Sequence, residues 1–464
     1  MTVTGVLLLA GFALLSALMV LRILPTLLTL PIMAAWIAFI TGVPFTSWLN
    51  GVLLGGSLRL ASPIALVVFG AMFARVIRKT GISDTIVKKA AELSGDRPVA
   101  VALVLTAATA FVFMGMSGLG SVIMVGSITI PIMTSAGISP LDASVLMLLG
   151  INIGLLANIA GYGAYIGIFG SDAALSYYLL AIVIPVLVTV IYILRNIPRG
   201  SGGENSLWDI AKEFVSGIIS LPVSLLRTLA GMYSRKSSGL LRRKQDLPAA
   251  ALVTPILPLA VIYGIRLYKG FGPTDKGFAD PVAAALLGFI VAALYAALLV
   301  CPGKTVNLLA GAFVEGIQDI AGVLVLFMGI GMLVSAAAFP QASAVIHPLL
   351  ASVLPTSLFG MLCFFAAFAP AALYRGPLNM FGMGAGIAAM LAGLHLVPPA
   401  ALCGMFIAVG YLQALADPTN SHNTWIGAFA GVDTAVILKR ILPYSWAMCV
   451  LLLLYVAFTQ GGPS

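Results

Sequence analysis

Charge is what this chain has least of. Asp, Glu, Lys and Arg make up 8% of its 464 residues, against 61% for the hydrophobic class. Soluble domains carry about 25% charged residues, so the composition excludes one. Histidine is scarce as well, with three copies. No HExxH, Cys/His cluster or Walker loop occurs, which argues against a metal centre or a phosphate-binding loop. The four cysteines, Cys301, Cys363, Cys403 and Cys449, sit in apolar runs without ligand spacing. They read as packing residues rather than disulfides. Alternating segments of roughly ten residues are missing, which excludes a β-barrel. The first Arg is Arg22, after the first apolar run, which argues against a cleaved signal peptide.

What is present is a series of apolar stretches of about 20 residues, the length that crosses a bilayer as a helix. Backbone groups in lipid must pair internally, so an all-α integral membrane protein is expected. The net charge of +9 does not point to nucleic acid, because the basic residues concentrate in two inter-helix segments. That distribution fits the cytoplasmic side of a multi-pass protein in a bacterial inner membrane, with lipids as neighbours.

The chain carries a degenerate repeat. Shifted by 258 positions, Leu66, Val67 and Phe69 fall on Leu324, Val325 and Phe327; Gly118 falls on Gly376, Gly126 on Gly384 and Pro140 on Pro398. Residues 1–194 and 248–464 are read as two copies, joined by a cytoplasmic linker over 195–247 that carries nine Lys/Arg. Within the linker, Ile210 to Leu229 is weakly amphipathic and suits a surface helix bent at Pro222. In each copy two apolar arms flank a polar tip: Ser117-Gly118-Leu119-Gly120-Ser121 in the first, Arg375-Gly376-Pro377-Leu378-Asn379 in the second. The following helix then breaks, at Asn158 to Tyr162 and at Asp417 to Asn423. The arms are read as re-entrant hairpins and the interrupted helices as broken transmembrane helices. Asn50 to Leu60, rich in Gly and Leu, is expected at the membrane interface. The segment 75–97 is basic, whereas its counterpart at 333–355 holds no Lys, Arg, Asp or Glu. Opposite orientation of the two halves explains that difference, so the repeats are expected to be inverted.

The chemistry is expected where tips and breaks meet. Arg375 is the sharpest residue: a guanidinium at membrane depth is costly, and its planar fork suits a carboxylate. A structural ion pair between Arg375 and Asp417, or snorkelling to the interface, is the competing explanation. Ser117, Gly118, Gly120, Ser121, Asn158, Tyr162, Gly376, Asn379, Thr419, Asn420, Ser421 and Asn423 complete the candidate substrate-binding set. Asp417 and His422 are the candidate ion-coupling residues, for H⁺ or Na⁺. Asp417 can equally serve as a cap of the broken helix, and the polar residues after it can satisfy unwound backbone. Glu315, Asp319, Asp142, His347 and His395 read as structural, and Gly382 to Gly386 as a packing surface.

The Ser117-Gly118-Leu119-Gly120-Ser121 tip and the Thr419-Asn420-Ser421 break resemble the ion transporter superfamily of secondary carriers, nearest its gluconate permease, lactate permease and citrate transporter groups. The Ser-Asn-Thr tip of the dicarboxylate branch is missing, which puts Na⁺-coupled dicarboxylate transport in doubt. The resemblance implies two inverted repeats, a homodimer built on scaffold helices, and a transport domain that moves as an elevator. The expected function is proton- or sodium-coupled symport of a small organic anion, with no bound cofactor. A cation/proton antiporter of the same superfamily is the alternative. An integral-membrane enzyme would need a nucleophile or metal cluster, and none stands out.

Overall fold

The computed structural model describes residues 3–20, 23–95, 97–198, 247–269, 281–355, 357–381, 384–394 and 396–460. All regular structure among them is helical. Most of the linker, including Ile210 to Leu229, and His395, Gly382 and Met383 lie outside the described residues, as does the side chain of His347. Eight helices are long and apolar enough to cross a membrane by length and composition. The chain is a multi-pass membrane protein.

The helices are apolar on nearly every face, as suits helices surrounded by lipid and one another. Several begin on proline, whose missing N–H costs nothing in a first turn: Pro98, Pro140, Pro281, Pro340 and Pro399. In order they are α1 (Val3–Val20), α2 (Thr26–Ile40), α3 (Ala61–Lys79), α4 (Ile82–Ser94), α5 (Pro98–Phe113), α6 (Leu119–Ser135), α7 (Pro140–Ala157), α8 (Gly163–Phe169) and α9 (Tyr178–Asn196). After the linker come α10 (Leu257–Lys269), α11 (Pro281–Val300), α12 (Thr305–Ala338), α13 (Pro340–Val353), α14 (Leu358–Phe368), α15 (Gly384–Leu394), α16 (Pro399–Ala416), α17 (Ser421–Ala430) and α18 (Thr434–Gln460).

The long α12, of 34 residues, is the axis of one packing unit. It lies against α2, α3 and the segment 45–58. Close approach is set by glycine. A Cβ on Gly56 would stand 2.6 Å from the backbone of Met332, and one on Gly316 would stand 2.8 Å from that of Met72. The segment 45–58, which overlaps the Asn50 to Leu60 stretch, packs closely on α12. It is helical, with a π-turn over Trp48–Leu54, and its glycine edge is pressed into the protein. Glu315 and Asp319 lie within α12. They pair across to α3: Asp319 with Arg75 and with Arg78 (2.6 Å), Glu315 with Arg75 (3.2 Å) and with Lys79.

The two halves interlock. Helix α2 of the first packs on α12 of the second, and α11 of the second packs on α3 of the first. A second tie lies at Asp142, which does more than start a helix. Ser139 caps α7 and donates to Asp142 Oδ2 at 2.7 Å, while Tyr192 (2.6 Å) and Arg440 (3.0 Å) donate to Oδ1. Arg440 belongs to α18, so this cluster joins the last helix to the first half.

Candidate functional site

The two tips and two breaks are placed by packing that can be followed residue by residue. Thr106 and Thr109 of α5 face Gly150 of α7, and Ala110 and Phe113 face Gly154. The numbers rise together, so α5 and α7 run in the same direction. Helix α5 ends at Phe113, and α7 breaks at Asn158, one turn past Gly154. The first tip and the first break therefore sit at adjacent levels. Beyond the break, α8 runs back along α3, with Ala160 beside Gly70, Gly163 beside Val67 and Gly167 beside Leu60.

The broken helices α7 and α16 are both 18 residues long and end in the same way. Asn158 (φ −82°, ψ 107°) and Asp417 (φ −70°, ψ 108°) both turn the chain out of the helix. Each side chain then accepts the backbone N–H two residues on, from Ala160 at 3.1 Å and from Thr419 at 2.9 Å. A short Asn or Asp side chain that imitates a backbone turn is the physical reason these residue types stand there. The segments after the breaks then cross over: α8 packs on α15, and α17 packs on α6. Each break is thus continued by a helix that rests on the other half's tip-bearing arm.

At the second site the tip meets its break directly. Asp417 is fully buried, and its carboxylate accepts four hydrogen bonds. Oδ1 takes the Thr419 N–H (2.9 Å) and hydroxyl (2.7 Å); Oδ2 takes the Arg375 N–H (3.2 Å) and the Asn379 amide (3.3 Å). The ion pair with the Arg375 guanidinium is not formed. Arg375 is exposed, and its guanidinium has no ion pair among the described residues. The turn that carries it is strained, since Tyr374 (φ 55°) and Arg375 (φ 57°) both take the left-handed region without being glycine. Gly376 is required next, because a Cβ there would collide with the Ala371 and Leu373 carbonyls. Gln413, which sequence reasoning missed, closes the tip by accepting the Met380 N–H at 2.8 Å. It stands one helical turn before Asp417, a polar residue in an apolar run, and that was the available signal.

The remaining polar residues of this break serve its backbone. Asn420, His422 and Asn423 reach the consecutive carbonyls of Gln413, Ala414 and Leu415, the last two at 3.2 and 2.9 Å. These are the acceptors a helix end leaves open. Ser421 begins α17 and is exposed.

The first site is less satisfied. Ser117, Gly118 and Gly120 are exposed, and Gly118 has φ +83°. Ser121 is buried and donates to the Ser117 carbonyl at 2.8 Å. A Cβ on Gly120 would strike Nη1 of Arg78, so this guanidinium, also missed in the sequence, lies over the tip. Tyr178 donates its hydroxyl to the Ala157 carbonyl at the break. The Tyr162 hydroxyl and Asn423 Oδ1 are buried without a partner among the described residues.

Comparison with known proteins gives a fold but no family. No protein-family model matches the chain, and no curated protein does either. Among solved structures, the chain is similar to the Alcanivorax borkumensis YdaH transporter, described as having an unusual topology. The match has a TM-score of 0.56 at 15% identity and covers 90% of this chain and 88% of that one. The chain therefore has the fold of a membrane transporter.

Proposed function

We propose that the protein is a secondary active transporter that carries a small organic anion, a carboxylate, in symport with H⁺ or Na⁺. The observation that carries this reading is an exposed guanidinium, Arg375, without an ion pair among the described residues and held on a strained turn against a helix break in a transporter-like fold. A planar fork of donors with no acceptor of its own suits a carboxylate. Ser117, Gly118 and Gly120 at the other tip are exposed, with the Ser117 carbonyl taken by the Ser121 hydroxyl. His422 supplies a titratable side chain within the break.

The matched break geometry, the equal lengths of α7 and α16, and the crossed packing support two repeats of inverted topology, each with a re-entrant hairpin. Broken helices with paired tips are how carriers surround a central site. Membrane location in a bacterial inner membrane, assembly as a homodimer and elevator-type movement belong to the same proposal.

A thermal-shift panel of acetate, lactate, gluconate, succinate and citrate, at several pH values with and without Na⁺, tests the anion reading. A ligand that binds the folded state raises its apparent stability. The acid with the largest shift is then followed as labelled substrate into proteoliposomes. Arg375→Ala is expected to abolish its uptake, and Arg375→Lys to retain a fraction. Wild-type uptake by Arg375→Ala rules out the anion role.

A further inference from the structure

We infer that Asp417 is a positioning residue: its carboxylate locks the Tyr374–Arg375 turn in the conformation that offers the Arg375 guanidinium to the substrate anion. The inference rests on the anion reading above for what the guanidinium binds, but not for how the turn is held.

The carboxylate of Asp417 has partners on both sides of the break. It accepts the backbone N–H of Arg375, not the guanidinium, together with the side chain of Asn379 at the far end of the same tip. With its other oxygen it holds Thr419 on the opposite side of the break. One buried anion thus pins tip and break to each other through four donors. A counter-ion would neutralise Arg375; this arrangement leaves the guanidinium free.

The turn needs such a pin. Two consecutive residues with side chains occupy the left-handed region at Tyr374 and Arg375, a conformation that L-residues enter singly and at a cost. Conformations of this kind persist only where the surroundings over-determine them. Other restraints on the turn lie within the tip: Gly376 N–H to Leu373 at 3.0 Å, Leu378 N–H to Ala371 at 3.4 Å, Asn379 N–H to Gly376 at 3.0 Å and the Asn379 amide to the Ala372 carbonyl at 3.0 Å. None of them involves the N–H of Arg375. Replacing Asp417 by Asn swaps one acceptor oxygen for an NH₂ group. Whichever pair of donors then faces the NH₂ group, the pin loosens: the Arg375 and Asn379 donors lose their acceptor directly, or Thr419 no longer anchors the side chain that supplies it.

The test compares purified full-length wild type, Asp417→Asn, Tyr374→Gly and the double variant. Glycine enters the left-handed region without penalty, so Tyr374→Gly is expected to replace part of what the carboxylate supplies. Two readouts are taken: hydrogen exchange of the Gly376 and Leu378 amides, whose acceptors lie within the tip, without ligand, and affinity for whichever acid of the panel shifts the wild type most. Asp417→Asn is expected to speed that exchange and to weaken binding by at least about tenfold. The double variant is expected to recover both to within about threefold of wild type. A group that binds the coupling ion or the substrate directly gives no such recovery of binding.

Unchanged exchange in Asp417→Asn overturns the inference, and so does recovery of exchange without recovery of binding. If no acid shifts the wild type while exchange behaves as expected, the anion reading fails and the pin on the turn stands. Should Asp417→Asn not fold, Asp417→Glu keeps the acceptor displaced by one methylene. It is expected to show the same two losses in milder form, again reversed by Tyr374→Gly, and no loss or no reversal counts against the pin.

Discussion

Removing the side-chain caps of the second break gives a graded test of how that break is held open. Asn423 donates to the Leu415 carbonyl at 2.9 Å, and both residues are buried. Asn423→Ala leaves that carbonyl without a donor, which costs about 1–3 kcal/mol. The same change removes Asn423 Oδ1, a buried acceptor without a partner, and so regains part of the loss. The net is about 1–2 kcal/mol. His422→Ala frees the Ala414 carbonyl, which belongs to a half-buried residue that water can reach. Its cost is expected to stay below about 1 kcal/mol. Asn423→Asp should be worse than either, because it turns a second acceptor towards the Leu415 carbonyl. Unfolding titrations in mixed detergent micelles, read by tryptophan fluorescence, measure all three. If His422→Ala costs as much as Asn423→Ala, or Asn423→Asp is the mildest, the capping account is wrong.

The helix crossing at Gly331, where a Cβ would meet the Gly56 carbonyl, should reject Gly331→Val by about 1–3 kcal/mol; Gly322→Val, with nothing within 4 Å, should be neutral in the same titration. Arg440→Met withdraws one of three donors from Asp142, and because Arg440 is 38% exposed the loss should be about 1–2 kcal/mol rather than that of a fully buried pair. Adding Asp142→Asn to it should cost less than the sum of the two singles, and simple additivity counts against the pair. Inverted halves predict that a membrane-impermeant maleimide reaches Lys88→Cys only from inside and Gln341→Cys only from outside; labelling of both from one side refutes the inversion.

Much of the fold was legible because the signals are periodic and the lengths are constrained by lipid. Helix α1 and the starts of most later spans follow from apolar runs bounded by proline or polar breaks. Asn158 and Asp417 were legible as breaks, since each is a short polar side chain at the end of an 18-residue apolar helix. The packing of segment 45–58 was not legible because glycine suits a surface loop and a close helix crossing equally, and only the partner, α12, decides between them. The role of the polar cluster after Asp417 was open for a similar reason. Asn420, His422 and Asn423 reach carbonyls seven or eight residues back, across a break. No helical or extended period relates those positions. Arg78 was hidden among basic residues of a loop, and its place over Gly120 is purely tertiary. For Arg375, chain chemistry showed that a guanidinium there needs an explanation, but not that Asp417 would take its backbone instead.

The two breaks share a backbone turn but not a chemistry, and the difference says where a ligand's polar groups find partners. At the second break the carboxylate of Asp417 has four donors and three carbonyls have side-chain caps, which leaves Asn423 Oδ1 as a buried acceptor without a partner among the described residues. Inserting a ligand among them would exchange one hydrogen bond for another, with little net gain. At the first break the neutral Asn158 satisfies one N–H, and the Tyr162 hydroxyl is buried without a partner among the described residues. Burying such a group costs free energy that a ligand or water recovers on binding. The free capacity of the pair thus lies mainly in Tyr162, the exposed first tip and the guanidinium of Arg375, with the second break, where Asn423 Oδ1 is the buried side-chain atom left open among the described residues, acting as the frame. Tyr162→Phe separates this division of labour from a symmetric site. It should stabilise the ligand-free protein, because it deletes an unsatisfied hydroxyl, and weaken binding of the acid that shifts the wild type. Asn420→Ala should do the reverse, lowering stability first and affinity only as the frame loosens. A Tyr162→Phe protein that is less stable and binds as wild type would show that the hydroxyl is already paired and that the first break is no more open than the second.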